Sequence, residues 1–290
     1  MPDLGNESFE DLLARLEPAL AGSSEAHDPT GLREKRMPEL TSPWFAKHRS
    51  RPGGVLRLFC FPYAGGGALA YRQWWQELPP EIDVVPVELP GRGNRMREPA
   101  RRSFPGLISE IEAAISPHLD IDFALFGHSM GATIAFELAR QLRRRGLPQP
   151  RMLIVSGRRA PHLPADDPPT YNLPEAEFIA ELHKLNGTPK EVLDSQELMG
   201  LMLPLLRADF ELIQTYQFTP DAPLSCPISA YGGTEDSELP RDRLLPWREQ
   251  ATGEFSLRML NGDHFFLRSS QTELLRLISR DLLRVIRSAL

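Results

Sequence analysis

The sequence predicts an α/β protein, with a mostly parallel central sheet flanked by helices and a helical segment inserted late in the chain. Three observations carry this. From about residue 54 short apolar runs alternate with helix-period segments, the pattern of strand and helix units wound around a parallel sheet. Most of the runs are continuously hydrophobic, which suits strands covered on both faces. The interval 160–221 breaks the rhythm, opening on prolines and continuing into longer helix-like stretches.

Taken in order, residues 1–40 read as an extension. Phe9, Leu12, Leu13 and Leu16 recur at helical spacing, Ser8 with Asp11 resembles a capping box, and Pro18 ends the segment. This short amphipathic helix is expected to dock on its own domain or to fray, with docking to a partner protein as the alternative. The run AGSSEAHDPTG then reads as a linker, and one domain is expected over 41–290.

Within that domain the expected strands are Val55 to Phe61, Val84 to Leu89, Phe123 to Gly127, Arg151 to Gly157, Ile228 to Gly232 and Phe255 to Leu260. Pro86 removes a ladder donor from the second, so an edge position or a bulge is expected there. Helices are expected near Leu69 to Glu77, Phe104 to His118, Met130 to Arg145, Arg241 to Gln250 and Gln271 to Ser288. The interval 160–221 contains EAEFIAELHKL and SQELMGLMLPLLRADFELIQTY and is expected to form a helical lid. Pro204 should kink or break the second of these segments, because it lacks an N–H and crowds the preceding turn.

Bulk properties exclude several functions. A formal charge of −6 does not suit a general nucleic-acid binder, which needs a positive surface. No stretch approaches the roughly 18 uninterrupted apolar residues of a membrane span. The N-terminus carries acids where a secretory signal has basic residues and an apolar run, so a cytoplasmic location is expected. Cys60 and Cys226 each lie in an apolar strand-like run and read as reduced core residues, with neither a disulfide nor a metal site.

The chemistry is carried by Gly127-His128-Ser129-Met130-Gly131, a G-x-S-x-G motif with a strand ending at it and a helix beginning from it. That context is the nucleophile elbow of the α/β-hydrolase fold. The glycines permit a tight turn that presents Ser129 at a strained apex, and the following helix N-terminus offers unpaired N–H groups to a developing oxyanion. Met130 is expected to supply one donor of an oxyanion hole. The second is assigned to the Ala64 N–H, in the loop Pro62-Tyr63-Ala64-Gly65-Gly66-Gly67 that leaves the first strand.

In this fold the triad runs nucleophile, acid, histidine along the chain. His162, His183 and His264 follow Ser129, and the first two fall in the expected lid. His264, after the last strand, is therefore the expected base. Asp236, just past the fifth strand in Tyr231-Gly232-Gly233-Thr234-Glu235-Asp236, is the expected acid. Glu235 and Glu238 are its local competitors, and Asp263 is disfavoured because a neighbour of His264 would have to fold back sharply. The fourth strand ends in Ser156 and Gly157, so no carboxylate stands at the alternative acid position after it.

Pro43-Trp44-Phe45, FCFPYAGGG, ELPGRGNR, FGHSMGA, YGGTED and GDHFFL together resemble the type II thioesterases that accompany polyketide synthases and nonribosomal peptide synthetases. The resemblance runs from about Pro43 to the C-terminus and leaves the N-terminal helix outside it. It implies Ser129 as nucleophile, His264 as base and Asp236 as acid. It also implies hydrolysis of unwanted acyl groups from the phosphopantetheine arm of acyl or peptidyl carrier domains. A serine acyl-enzyme mechanism requires no metal or bound cofactor, and a monomer is expected.

Arg92, Arg95, Arg97, Arg101 and Arg102, and then Arg140, Arg143, Arg144 and Arg145, are expected as solvated charged faces, with docking of an acidic carrier as the alternative for either. Met199, Met202, Leu203, Leu206, Phe210 and Ile213 could line an acyl chamber or pack the lid onto the core. A small-molecule esterase or acyltransferase, and a noncatalytic carrier-binding protein, are the rival readings, since the fold does not fix the acyl acceptor.

Overall fold

The C-terminal ends of six parallel strands share one edge of the sheet, and that edge organises the molecule. In the computed structural model the strands are β1 (Leu56–Phe61), β2 (Ile82–Pro86), β3 (Phe123–His128), β4 (Met152–Ser156), β5 (Ile228–Gly233) and β6 (Phe255–Leu260). Their order is β2-β1-β3-β4-β5-β6 and every pair is parallel. The structure describes residues 40, 42–45, 48, 50–165, 168–185, 187 and 190–288, all within the compact unit Lys35–Leu290. The expected N-terminal helix and linker lie outside the described residues.

The longer helices are α1 (Phe104–Ile115), α2 (Met130–Arg144), α3 (Glu175–Leu185), α5 (Gln196–Gln214) and α6 (Gln271–Arg287), with the single turn α4 (Lys190–Leu193) between α3 and α5. The chain steps from β1 outward to β2, then crosses back past β1 to β3 and winds the other way. Right-handed crossovers therefore place helices on both faces of the sheet. Period-two alternation along β1 feeds two separate cores: Phe59 and Phe61 face one with α1 and α2 residues, while Leu56, Leu58 and Cys60 face the other with Tyr71, Trp74 and α6 residues. The direction of winding reverses between β1 and β3, and it is beyond the C-terminal strand ends at such a point that open sheets of this kind bind ligands.

The second strand departs from expectation. It begins at Ile82 and ends at Pro86, paired from Leu56↔Ile82 to Cys60↔Pro86. Buried Asp83, hydrogen-bonded to His48 at 2.8 and 2.9 Å, breaks the apolar pattern that would have revealed the start. Pro86 closes an edge strand, as its missing donor requires.

The insertion between β4 and β5 holds α3, α4 and α5. α5 runs unbroken for 19 residues through Pro204, contrary to a break there. The carbonyl that loses its partner belongs to Gly200, which is exposed and can turn to water. Burial of Leu205, Leu206, Ala208, Asp209 and Leu212 holds the second half in line. Tertiary packing here outweighs the proline's local cost.

Both cysteines are free and buried. Among the described residues no helix is long and apolar enough to cross a membrane.

Candidate active site

Ser129 is the only non-glycine described residue with a positive φ, at φ 53° and ψ −115°. Such a backbone costs on the order of 1–3 kcal/mol and persists only when its surroundings impose it. They do so here: the Ser129 N–H donates to the Ser156 carbonyl at 2.8 Å, and the flanking glycines leave no room for a methyl. A Cβ on Gly127 would overlap the Gly131 carbonyl, and one on Gly131 would overlap the Phe61 carbonyl. The strand-to-helix turn thus packs against the end of β1 and leaves Ser129 half-buried at the first turn of α2.

On the same edge, the loops after β5 and β6 are tied to each other. The Thr234 N–H donates to Leu260 O at 2.8 Å and the Glu235 N–H to Gly262 O at 2.9 Å. This places Asp236 Oδ2 2.6 Å from His264 Nδ1. Asp236 is 7% exposed, while Glu235 and Glu238 are exposed, and Asp263 accepts from the Phe265 N–H in its own loop at 2.8 Å. With Nδ1–H donated to the carboxylate, the neutral ring of His264 presents Nε2 as its acceptor.

His128 packs against His264 with ring centroids 5.2 Å apart, and its Nδ1 lies 2.9 Å from Ser156 Oγ. Burial, then the charge His264 can carry, holds the His128 pKa well below that of an ordinary histidine. It is a neutral wall beneath the second imidazole.

The loop after β1 turns between Tyr63 and Gly66, closed by the Gly66 N–H on Tyr63 O at 2.9 Å, with Gly65 at φ 74°. Among the described residues the N–H groups of Ala64 and Met130 donate to no other group. A side chain at Gly65 would be strained by its φ of 74°, and its Cβ would sit 2.5 Å from Leu206 Cδ2 of α5, which would have to move. Leu206, Met199, Met202, Leu203 and Phe210 form one cluster with Phe178, Leu182 and Leu193, whereas Ile213 packs on the main core. Two cavities, of about 770 and 290 Å³, are lined by neither Ser129 nor His264.

The arginines divide between buried pairs and solvated ones. Arg92 and Arg95 are each only 6% exposed: Arg92 pairs with Asp209, and Arg95 pairs with Glu98 and stacks 4.0 Å from the Trp44 ring. Arg101 and Arg102 pair with Glu110 and Glu211, leaving Arg97 exposed. In the second cluster Arg140 is buried beside Glu137, Arg143 and Arg144 reach Asp221, and Arg145 reaches Glu112. Arg92, Arg95 and Arg140 are buried and knit the fold together, while Arg97, Arg102, Arg144 and Arg145 stay exposed as the solvated faces expected of them.

Sequence reasoning missed Asp209 and Glu88. Asp209 shares a helical face with Leu205, Leu206 and Leu212, so its burial was readable from the period, although its partner was not. Glu88 accepts from the Ala68 N–H at 3.2 Å; burial raises its carboxyl pKa, against the pull of that N–H and of Arg92 and Arg95.

A family model described as thioesterase domain matches residues 56–282. The gramicidin S biosynthesis protein GrsT of Aneurinibacillus migulanus is 44% identical over 243 residues, 84% of this chain and 95% of that protein. The RedJ thioesterase of the prodiginine pathway in Streptomyces coelicolor superposes with TM-score 0.75 at 41% identity, covering 78% of this chain and 90% of that one. The type II thioesterase BorB of the borrelidin biosynthetic cluster gives TM-score 0.72 at 34% identity, covering 78% and 92%.

Proposed function

The chain belongs to the thioesterase family, and from that premise we propose that it is a type II, editing thioesterase. It removes acyl groups from the phosphopantetheine arms of acyl or peptidyl carrier domains of polyketide or nonribosomal peptide assembly lines. The observation that supports this best is the arrangement at one sheet edge of a strained Ser129 at a helix N-terminus and a His264 held by Asp236 at 2.6 Å.

In this mechanism Ser129 Oγ attacks the thioester carbonyl while His264 Nε2 takes its proton. Asp236 keeps the ring in the required tautomer and stabilises the imidazolium. The N–H groups of Ala64 and Met130 receive the oxyanion. Collapse breaks the C–S bond, and the proton held by His264 passes to the departing thiolate. Water then loses a proton to His264 and attacks the acyl-serine, releasing the acid and restoring Ser129. The same reading has the protein act in the cytoplasm as a monomer without a bound cofactor.

Carrier proteins loaded with different acyl groups, followed by intact mass, test it. Wild type is expected to return them to the free thiol, while Ser129→Ala falls by at least about 10³-fold. Release no faster with wild type than with Ser129→Ala would overturn the reading. Oxygen esters turned over much faster than carrier thioesters would move it toward a small-molecule esterase.

A further inference from the structure

α5 reaches into the loop that carries the Ala64 N–H. Asp209 Oδ2 accepts from the Gly65 N–H at 2.8 Å. Its two oxygens also hold both terminal nitrogens of Arg92, at 2.9 and 2.7 Å. The same guanidinium donates to the Gly66 carbonyl at 2.8 Å. Consecutive glycines of the loop are thus gripped by the two members of one ion pair, which are 1% and 6% exposed.

The grip bears on direction. Fixing the Gly65 N–H fixes the Ala64–Gly65 peptide plane, and the turn closed from Gly66 to Tyr63 spans the plane before it. Ala64 is left one orientation for its own N–H. A buried ion pair is in general no more stabilising than a well-packed apolar pair of similar volume, so geometric control is the distinctive contribution of this one.

We propose that Arg92 and Asp209 are positioning residues for acyl transfer: through Gly65 and Gly66 they aim the Ala64 N–H at the oxyanion, and they make that donor conditional on α5 being seated. This rests on the reading of Ser129 as nucleophile and the Ala64 N–H as oxyanion donor. Arg92 has a second task, because a bare carboxylate so near the developing negative charge would oppose it. Losing Arg92 while Asp209 stays therefore harms the reaction more than losing both.

The test measures kcat and KM on a hexanoyl-N-acetylcysteamine thioester, with the melting temperature of each variant. Arg92→Met/Asp209→Leu removes both charges together, so it is expected to melt above Arg92→Met, though below wild type because the Gly65 N–H and the Gly66 carbonyl lose their partners, and to lose about 30-fold in kcat at unchanged KM, approaching the loss of one oxyanion donor. Arg92→Met alone should lose about 100-fold. Arg92→Met/Asp209→Asn returns an amide oxygen to the Gly65 N–H and should recover about tenfold over the Met/Leu pair. A purely structural role predicts that the Met/Leu pair restores activity along with stability, and kcat within about threefold of wild type would overturn the proposal. If the Met/Leu pair fails to fold, equal kcat for Arg92→Met and Arg92→Met/Asp209→Asn overturns it instead. A wild type no faster than Ser129→Ala brings down the hydrolase reading and this inference together, whereas an active wild type with an unaffected pair brings down the inference alone.

Discussion

His128, the residue before the nucleophile, is fully buried and its pKa is held well below the ordinary 6.5 by burial first and by His264 second. The unfolded chain therefore binds a proton at this position below about pH 6.5 that the folded protein refuses, so stability falls as pH falls through that window. Urea unfolding at steps from pH 7 to pH 5 should show a shallower loss in His128→Gln than in wild type; parallel curves would refute the assignment. The sequence made Ser129, His264 and Asp236 legible because each stands at a strand end in an order the fold imposes. It hid Asp209 and Arg92, whose partnership spans 117 residues and leaves no trace in any local window.

At the scale of elements, α5 shows where local rules lose to packing. Pro204 lies inside it, yet the helix continues because its inner face is anchored on both sides of the proline. Gly200 is the weak point that remains: it is exposed, helical, and an added Cβ meets nothing within 4 Å. Gly200→Ala should stabilise the protein by about 0.5–1 kcal/mol by lowering the entropy lost on folding, readable as a higher urea midpoint with unchanged slope; a lower midpoint would show that the flexibility is needed there. The strands were legible as apolar runs, and their ends less so. β2 was misplaced because a buried polar residue, Asp83, belongs to an ion network at the opposite end of the sheet from the catalytic edge.

At the scale of the molecule, the strand alternation announced a parallel sheet, but the order in which strands pair was not legible, because it is set by contacts between segments far apart in sequence. That order puts the nucleophile on β3 and the acid and base together after β5 and β6, with β5 joined to the rest of the sheet along β4 from Leu153↔Ile228 to Ser156↔Tyr231. Residues 219–223 connecting the two regions are exposed, and Arg143 grips them through the carbonyls of Ala222 and Pro223 at 2.5 and 2.9 Å. Cutting the chain between Asp221 and Ala222 should give two fragments that are each inert on a thioester and regain turnover when mixed, at a rate that rises with fragment concentration. Activity in either piece alone would contradict this. Because the loops after β5 and β6 are hydrogen-bonded to one another in the intact fold, carboxylate and imidazole travel on one piece and the nucleophile on the other, so a single nick would turn the catalyst into a proximity reporter whose signal is the meeting of two polypeptides.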